Sequence, residues 1–540
     1  MRALRILVAA SAVLLFLGLG TSTIWDANEA YYVETPRQMV QSGDFVNPTF
    51  NGAPRFNKPV LSYWIVAGFY KVLGVSVWAE RVAIAIGALG IAAAAFVIAR
   101  IIWSVRAGWI AALVLLTAPR VVFFARRIFI DIYVTLFMSL VLMFFVLAEA
   151  RPVHRRRYLL LMYVAAGLGV LTKGPVAIAL PAIAFLVYLA IERRLADIRR
   201  MHLVTGALIV AAIVTPWYAM VYAEHGWQYI RAFFIGENVG RFSETVGHQD
   251  RPFYFYVPVL LTELFPWSLF VPVALAHAAT VARSSLHRLL LCWIAVIVIA
   301  FSFSSTKQDL YIFPIVAALA ALIAGLFEQA MNGEERARRW THWTWPVVAV
   351  AMLALWIPLG RLFGAASSVY FIHGARIAAV LLLAGASAVT VYWFRRRTFE
   401  ALVTLGLAFA AINYVLVLVA LPYFERFKPV APLSATALAR NPGAHVVQFR
   451  TPLPSMVWYL GKPVEEVYDL PVLRQRLARP EETLVLLKER DYPEVQALAP
   501  TCIVDRRPLL DVKPREIMAG TALPQMLLVS NRCAKNGDGS

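Results

Sequence analysis

The stretch Trp25-Asp26-Ala27-Asn28-Glu29-Ala30-Tyr31-Tyr32 directly follows the first apolar run of the chain, where the backbone would leave a membrane. Its two carboxylates, Asp26 and Glu29, are three residues apart and would share one face if the stretch is helical. Because an acid at a membrane boundary is energetically costly, the pair is a candidate functional site. The structural alternative is that Asp26 caps the N-terminus of an interfacial helix.

The composition is that of a protein that crosses a membrane many times. Hydrophobic residues make up 60% of the 540 residues, charged residues make up 15%, and the mean hydropathy is +0.67. A soluble domain cannot bury so much apolar surface, so membrane lipid is an expected partner. The net charge of +19 does not indicate nucleic-acid binding, because the basic residues form short clusters between apolar runs rather than one patch.

Apolar windows of about 20 residues predict an all-α polytopic protein with about 13 transmembrane helices. The windows lie near residues 6–24, 79–100, 107–124, 131–149, 158–173, 175–192, 202–220, 255–276, 288–304, 309–328, 344–360, 375–394 and 400–421. No small-x-small cleavage site separates the first window from Trp25, so this window is predicted to remain as an uncleaved helix.

Clusters of arginine fall in alternate loops and set the predicted topology. These clusters are Arg100 with Arg106, Arg151 with Arg155 to Arg157, Arg193 and Arg194 with Arg199 and Arg200, Arg283 with Arg288, Arg336 with Arg338 and Arg339, and Arg395 to Arg397. All lie on the same side as Arg2 and Arg5, so the positive-inside rule places the N-terminus in the cytoplasm. An odd number of spans then places the C-terminal tail outside.

The loops on the opposite side carry the acids together with basic residues that break this rule. The first of these loops, residues 25–78, is long and contains Asn57-Lys58-Pro59 and an aromatic segment that is predicted to form an interfacial helix. The later loops contain Arg126, Arg127, Asp131, Lys173, Glu237, Arg241, His248, Asp250, Lys307 and Tyr311. This placement predicts a polar, anion-binding cavity at the outer membrane face, which Lys307 and Tyr311 would line together from one helical turn apart.

Hydropathy falls after Pro422, and the chain is predicted to divide there. Residues 1–426 would form the transmembrane domain, and residues 427–540 a small soluble α/β domain at the membrane surface. Short strands are predicted at His445–Phe449 and Thr483–Leu487, a helix at Leu470–Leu477 and a turn at Glu465-Glu466. If this domain is extracytoplasmic, Cys502 and Cys533 could form a disulfide, which the sequence leaves open.

The outer loops provide two chemical parts that a transfer from a lipid-linked sugar needs. A carboxylate can orient and deprotonate an acceptor, and cations can hold the charge of a leaving phosphate. The predicted acids are Asp26 and Glu29, and the predicted cations are Lys58, Arg126, Arg127, Lys173, Arg241 and Lys307. The sequence has no His-x-x-His, Cys-x-x-Cys or Asp-x-Asp cluster, so no metal and no other cofactor is expected.

Each of these residues also has a structural interpretation. Lys58 could extend toward lipid headgroups, Arg126 and Arg127 could anchor the end of a span, and Lys173 could belong to an ordinary tight turn. His248 is better explained as a solvated loop residue than as a metal ligand. The functional interpretation depends on the location of all these groups on one side of the membrane.

A family resemblance covers residues 1–330. It is carried by Asp26-x-x-Glu29-x-Tyr31, Ser42-Gly43-Asp44, Asn57-Lys58-Pro59, Leu171-Thr172-Lys173-Gly174-Pro175, Glu237-Asn238-x-x-Arg241-Phe242 with His248, Phe253-Tyr254-Phe255-Tyr256, Phe265-Pro266-Trp267 and Lys307-x-x-x-Tyr311-x-x-Pro314. These motifs resemble the bacterial aminoarabinose (lipid A) transferase group. That group belongs to the protein O-mannosyltransferase-like superfamily of C-type glycosyltransferases.

The resemblance implies a C-type glycosyltransferase fold in a bacterial inner membrane, with the site at the periplasmic face. Asp26 matches the family's catalytic acid and Asp131 a second acidic position. Lys58 and Arg241 match residues that hold the polyprenyl phosphate, and Tyr311 matches a tyrosine near it. The full predicted site adds Glu29 to the catalytic acids, and Lys307, Lys173 and Arg127 to the phosphate ligands.

The implied donor is an undecaprenyl-phosphate sugar, and the implied acceptor is lipid A or another envelope glycolipid. The chain departs from the family at Asn57, where an acid is common, and in the opening motif at Ala27-Asn28 and Ala30. These departures bear on the sugar and the acceptor rather than on the fold.

The sequence leaves other functions open. A protein O-mannosyltransferase-like enzyme would use a Ser or Thr acceptor on the same fold. A transporter or flippase for lipid-linked sugars is less well supported, because such proteins often contain inverted repeats, and here the charges cluster on one side of the membrane. A lipid A phosphate needs orientation more than deprotonation, whereas a sugar or Ser hydroxyl needs a base.

Overall fold

The computed structural model describes residues 1–26, 28–127, 130–240, 251–280, 285–364, 371–510 and 521–533, with the backbone alone at residues 28, 237–239 and 362. A bundle of long apolar helices is followed by a domain built on a β-sheet. Within the described ranges, eight helices are long and apolar enough to cross a membrane. The number is nine if the bent pair Phe253–Glu263 and Trp267–Thr280 is one span.

The helices of the bundle follow the apolar windows of the sequence. In chain order they begin with α1 (Arg2–Leu14), α2 (Asn28–Ser42), α3 (Leu61–Leu73), α4 (Val77–Ile102), α5 (Val105–Thr117), α6 (Pro119–Phe124), α7 (Ile130–Ala150), α8 (Arg155–Lys173), α9 (Val176–Ile191) and α10 (Leu203–His225). They continue with Trp227–Ile230, Arg231–Gly240, Tyr256–Glu263, Val271–Thr280, Ser285–Ser302, Asp309–Ile315, Val316–Met331, Glu335–Pro358, Ala375–Phe394, Thr398–Val415, Leu416–Ala420 and Leu421–Phe424. Each predicted window overlaps one of these helices, which confirms the prediction of an all-α polytopic fold.

The first helix is shorter than predicted. It ends at Leu14, and turns then lead to the acidic stretch. Gly18 has a left-handed φ of +60°, and the Thr21 N–H donates to the Gly18 carbonyl (3.3 Å), which closes a turn that an α-helix cannot contain. Arg126 donates to the carbonyl oxygens of Leu14 (3.0 Å) and Leu15 (3.4 Å), and it therefore anchors the end of α1.

A small outer layer lies between the bundle and the C-terminal domain. It consists of α2, a two-stranded hairpin of β1 (Thr49–Phe50) and β2 (Ala53–Pro54), and α3. α3 is the helix predicted for the aromatic segment, and its Tyr63 and Tyr70 are buried. Tyr63 stacks on Tyr32 of α2 with the ring centroids 5.6 Å apart, so aromatic contacts hold this layer together.

The C-terminal domain has helices on both faces of a five-stranded sheet. Its strands are β3 (His445–Phe449), β4 (Glu465–Val467), β5 (Thr483–Lys488), β6 (Cys502–Pro508) and β7 (Gln525–Ser530), in the order β4-β3-β5-β7-β6. β3 is parallel to β4 and β5, whereas β7 is antiparallel to β5 and β6. Helices Val430–Arg440 and Ser455–Leu460 cover one face, and helices Leu470–Leu477 and Tyr492–Leu498 cover the other.

The predicted strands at 445–449 and 483–487 and the predicted helix at 470–477 are confirmed. The predicted turn at Glu465-Glu466 is wrong, because these residues pair in parallel with β3 and form the edge strand β4. The cysteines are free; Cys502 on β6 lies beside Cys533, which follows β7.

Candidate functional site

Arg81, near the start of α4, holds the acid loop, residues 19–26, from inside the bundle. Its guanidinium donates to the carbonyl oxygens of Leu19 (2.8 Å), Ser22 (2.7 Å) and Thr23 (3.0 Å). It also forms an ion pair with Glu29 (3.1 Å), in which both side chains are buried. One side chain therefore fixes three carbonyl groups and one carboxylate, which would be costly to leave unpaired in this environment.

Glu29 is a buried anchor of this loop. Its side chain is 3% exposed, and beside the Arg81 ion pair it accepts the N–H of Trp25. α2 begins at Asn28, so Asp26 lies before the helix, and the prediction that the two acids share a helical face is wrong. The geometry favours a positioning role for Glu29 over a direct role in catalysis.

Asp26 instead faces the C-terminal domain. Its Oδ1 accepts the N–H of Ser455 at 2.7 Å, and its Oδ2 accepts the Ser455 hydroxyl. Burial raises the pKa of Asp26 from 3.8 to about 6, although the Ser455 hydrogen bonds lower it; Glu29 adds to the rise and Lys428 opposes it. Such a carboxylate is mostly ionised at neutral pH and is also basic enough to accept a proton, as a general base must be.

Basic side chains gather around the indole ring of Trp25, next to Asp26. The charged groups of Arg127 and Lys428 each lie 4.3 Å from the ring centroid, and Phe424 stacks on the same ring at 5.2 Å. Burial lowers the pKa of Arg127 to about 10 and that of Lys428 to about 8, so both are mostly cationic at neutral pH. Positive charge is thus concentrated one residue away from the candidate acid.

A second acid lies in the first turn of α7. Asp131 forms an ion pair with Lys173, the last residue of α8. The Lys173 ammonium also lies 5.1 Å from the ring centroid of Tyr311. α8 stops at Lys173 because Gly174 follows with a φ of +93°, which a residue with a side chain rarely adopts. Three of the predicted site residues, Asp131, Lys173 and Tyr311, therefore form one cluster.

Arg55 is a further cation in the outer layer. Its guanidinium lies 3.7 Å from the ring centroid of Tyr31 and donates to the Tyr63 hydroxyl at 3.3 Å. Lys58 follows three residues later and is half-buried, and its carbonyl oxygen accepts the Tyr229 hydroxyl at 3.2 Å. Two basic residues thus follow the hairpin closely in the chain, and the guanidinium of Arg55 contacts aromatic side chains of α2 and α3.

The remaining predicted phosphate ligands are Lys307 and Arg241. Lys307 is 7% exposed, and it lies before the helical segment with Tyr311, which begins at Asp309. The prediction that Lys307 and Tyr311 are one turn apart on a helix is therefore wrong. Arg241 and His248 lie outside the described residues.

Three residues that bind Asp26 or the acid loop, namely Arg81, Ser455 and Lys428, were not predicted from the sequence. An arginine near the start of an apolar span, such as Arg81, indicates a buried partner, so a buried ion pair of Arg81 could have been predicted from the sequence. Ser455 and Lys428 gave no signal, because their partners are about 400 residues away in the chain, 429 in the case of Ser455 and Asp26. In the described part of the chain, no group of three or more His, Cys, Asp or Glu residues could hold a metal ion.

Comparisons with known proteins show the family and the fold of the chain. The family model for dolichyl-phosphate-mannose-protein mannosyltransferase matches residues 57–219. An undecaprenyl phosphate-alpha-4-amino-4-deoxy-L-arabinose arabinosyl transferase from Pectobacterium carotovorum subsp. carotovorum (strain PC1) is 32% identical over 379 residues, which cover 67% of each chain. A protein of the same name from Aeromonas salmonicida (strain A449) is 31% identical over 385 residues, which cover 68% of each chain. Two further relatives are matched over 57% and 58% of their length.

The crystal structure of ArnT from Cupriavidus metallidurans bound to undecaprenyl phosphate superposes with a TM-score of 0.82 over 99% of both chains, at 21% sequence identity. The fold is therefore that of a C-type membrane glycosyltransferase. The chain belongs to the family of undecaprenyl-phosphate aminoarabinose transferases, since its identity with the Pectobacterium and Aeromonas enzymes extends over two thirds of their length. The predicted family and fold are confirmed.

Proposed function

We propose that this protein transfers a sugar from an undecaprenyl-phosphate donor to a cell-envelope acceptor at the periplasmic membrane face, with aminoarabinose as the sugar and lipid A as the acceptor. The names of its relatives support the donor and the sugar. The observation that carries the proposal is the position of Asp26, a carboxylate of raised pKa beside the cations Arg127 and Lys428.

In the proposed reaction, an acceptor oxygen attacks the anomeric carbon of the sugar, and the bond between this carbon and the donor phosphate oxygen breaks. The leaving undecaprenyl phosphate takes the electron pair. It needs nearby positive charge rather than a proton. We assign this role to Lys58, Lys173, Lys307, Arg127 and Arg241, with Tyr311 beside Lys173.

Asp26 acts on the acceptor in this scheme. A lipid A phosphate is largely ionised at neutral pH, since its second pKa is about 6, and Asp26 would mainly orient it. For a hydroxyl acceptor, Asp26 would take the proton as the new bond forms. Glu29 and Asp131 act indirectly, because the first is bound to Arg81 and the second to Lys173.

The topology and the cofactor requirement complete the proposal. The N-terminus is proposed to lie in the cytoplasm and the C-terminal domain in the periplasm, which follows from the alternating arginine clusters. No divalent metal is proposed, because lysine and arginine side chains can balance a single leaving phosphate, whereas a pyrophosphate would depend more on a cation.

A protein O-mannosyltransferase-like activity is the second candidate, and the match of residues 57–219 to the mannosyltransferase family model favours it. The two candidates differ in the acceptor, which would be a Ser or Thr hydroxyl in the second case.

The test uses purified protein with an undecaprenyl-phosphate aminoarabinose donor and three acceptors in parallel. These are lipid A, lipid A stripped of its phosphates, and a Ser/Thr-rich peptide, with the products identified by mass spectrometry. The proposal predicts transfer to lipid A and none to the stripped lipid or the peptide. Modification of the peptide alone would favour the second candidate, and absence of transfer to all three acceptors would refute the proposed transfer of aminoarabinose.

A further inference from the structure

The clamp helix, Ser455–Leu460, joins the C-terminal domain to the acid loop. The hydroxyl of Tyr459 accepts the N–H of Ile24 at 2.7 Å. The carbonyl of Trp458 accepts a hydrogen bond from Arg37 of α2 at 3.2 Å, and the Arg37 guanidinium lies 4.9 Å from the Trp458 ring centroid. The clamp helix therefore contacts the chain on both sides of Asp26.

Within this interface, one residue binds both oxygens of the Asp26 carboxylate. The Ser455 N–H donates to Oδ1 and the Ser455 hydroxyl donates to Oδ2. Two donors from one residue fix the rotation of the carboxylate as well as its position. We propose that Ser455 is a positioning residue for Asp26, so that the C-terminal domain completes the active site. This inference rests on the proposed function, in which Asp26 acts on the acceptor.

Ser455 also influences the charge of Asp26. Within the described ranges, the other charged or titratable groups that act on this carboxylate are Glu29, Lys428 and Tyr31. Burial raises the pKa of Asp26 to about 6, and the Ser455 hydrogen bonds are the largest opposing influence. Loss of the hydroxyl should raise this pKa by about one pH unit, because hydrogen bonds to charged groups are the strong ones.

The test compares kcat/KM of Ser455→Ala and Ser455→Thr with that of the wild type at each pH from about 5 to about 8, because ionisation of the acceptor phosphate is common to all three proteins and cancels in the ratio. The acid limb of the kcat/KM profile of Ser455→Ala should move to higher pH by about one unit. At pH 6, kcat/KM should fall about fivefold, because a smaller fraction of Asp26 is ionised. Ser455→Thr keeps a hydroxyl donor and should retain the wild-type limb. If Ser455→Ala does not fold, Ser455→Cys takes its place, because a thiol is a weak donor.

The matched control is Ser530→Ala in the same domain. The Ser530 hydroxyl is buried and donates to Glu482 at 2.7 Å, so this variant loses a hydroxyl–carboxylate hydrogen bond away from Asp26. Its acid limb should coincide with that of the wild type. An unshifted limb in Ser455→Ala, or an equal shift in Ser530→Ala, would overturn the inference.

A second readout does not depend on the substrate. Asp26 binds its proton more tightly in the folded protein, since its pKa is raised from 3.8 to about 6, so the folded state loses stability as pH rises through this range. In Ser455→Ala the loss of folding stability should continue to about pH 7, because the pKa of Asp26 is higher in this variant. The difference in Tm from the wild type should therefore grow between about pH 6 and pH 8. A constant difference in Tm would refute the role of Ser455. Absence of transfer by the wild type would refute the proposed function alone.

Discussion

Replacement of Arg81 by methionine should release the acid loop and abolish most of the activity. Methionine has a similar length and suits an apolar span, so α4 itself should persist. The substitution should destabilise the ordered conformation of the acid loop, because the guanidinium of Arg81 binds the carbonyls of Leu19, Ser22 and Thr23 and pairs with Glu29.

The size of the effect follows from the burial of the ion pair. Arg81 and Glu29 are 1% and 3% exposed, and loss of one partner of a buried pair costs about 3–5 kcal/mol, mainly because the other charge is left uncompensated. If this free energy is taken from the ordered state of the loop, the ratio of ordered to disordered loop falls by about a hundredfold or more. Transfer should decline by up to the same factor, in proportion to the fraction of molecules that keep Asp26 in place.

The assay is sugar transfer by purified Arg81→Met, Glu29→Gln and the double variant. Glu29→Gln removes the charge that Arg81→Met leaves unpaired, so the double variant should lose less than the sum of the single losses. Arg106→Met is the matched control, because Arg106 pairs with Glu328 at 2.7 Å elsewhere in the bundle. It should transfer sugar at nearly the wild-type rate.

Two results would refute this reasoning. Additive losses in the double variant would show that Arg81 and Glu29 are not coupled. Near-normal transfer by Arg81→Met would show that the acid loop keeps its conformation without the guanidinium.

Three further predictions address the donor, the topology and the metal requirement. Lys58→Ala and Arg241→Ala should raise the KM for the polyprenyl-phosphate sugar about ten- to a hundredfold, because each removes a charged contact with the phosphate; a rise in the acceptor KM alone would reverse the assignment. A phosphatase fused after Ser530 should be active and a cytoplasmic fluorescent reporter at the same place dark, whereas the reverse would mean that the span count is wrong by one. Transfer should continue in EDTA, and a loss that Mn²⁺ or Mg²⁺ restores would contradict the proposed balance of charge by lysine and arginine.

The parts of the molecule that depend on local pattern could be predicted from the sequence. Apolar windows placed the helices, short runs rich in Val and Leu placed β3 and β5, and a Gly-Pro pair placed the end of α8 at Lys173. The grouping of Asp131 with Lys173 and Tyr311 was accessible because all three were assigned to the outer ends of spans. Bundle geometry brings such ends together.

The environment of Asp26 could not be predicted in this way. The residue is bound by Ser455, which is 429 positions away, and this contact exists only because the clamp helix docks on the acid loop. The sequence also left open whether Asp26 belongs to α2 or precedes it; α2 begins at Asn28, with Glu29 in its first turn paired to the buried Arg81. Tertiary contacts, which the local pattern does not contain, fix both Asp26 and Glu29.

The central claim is that Asp26 is the acid that acts on the acceptor. Its most direct test is the rate of sugar transfer by purified Asp26→Asn, because asparagine preserves the shape of the side chain and can still accept a hydrogen bond from Ser455. We expect transfer to lipid A to fall by about 10²-fold, because the acceptor is no longer oriented, and transfer to a hydroxyl acceptor by up to about 10⁴-fold, with the melting temperature close to that of the wild type. Transfer at a rate near that of the wild type would contradict the account.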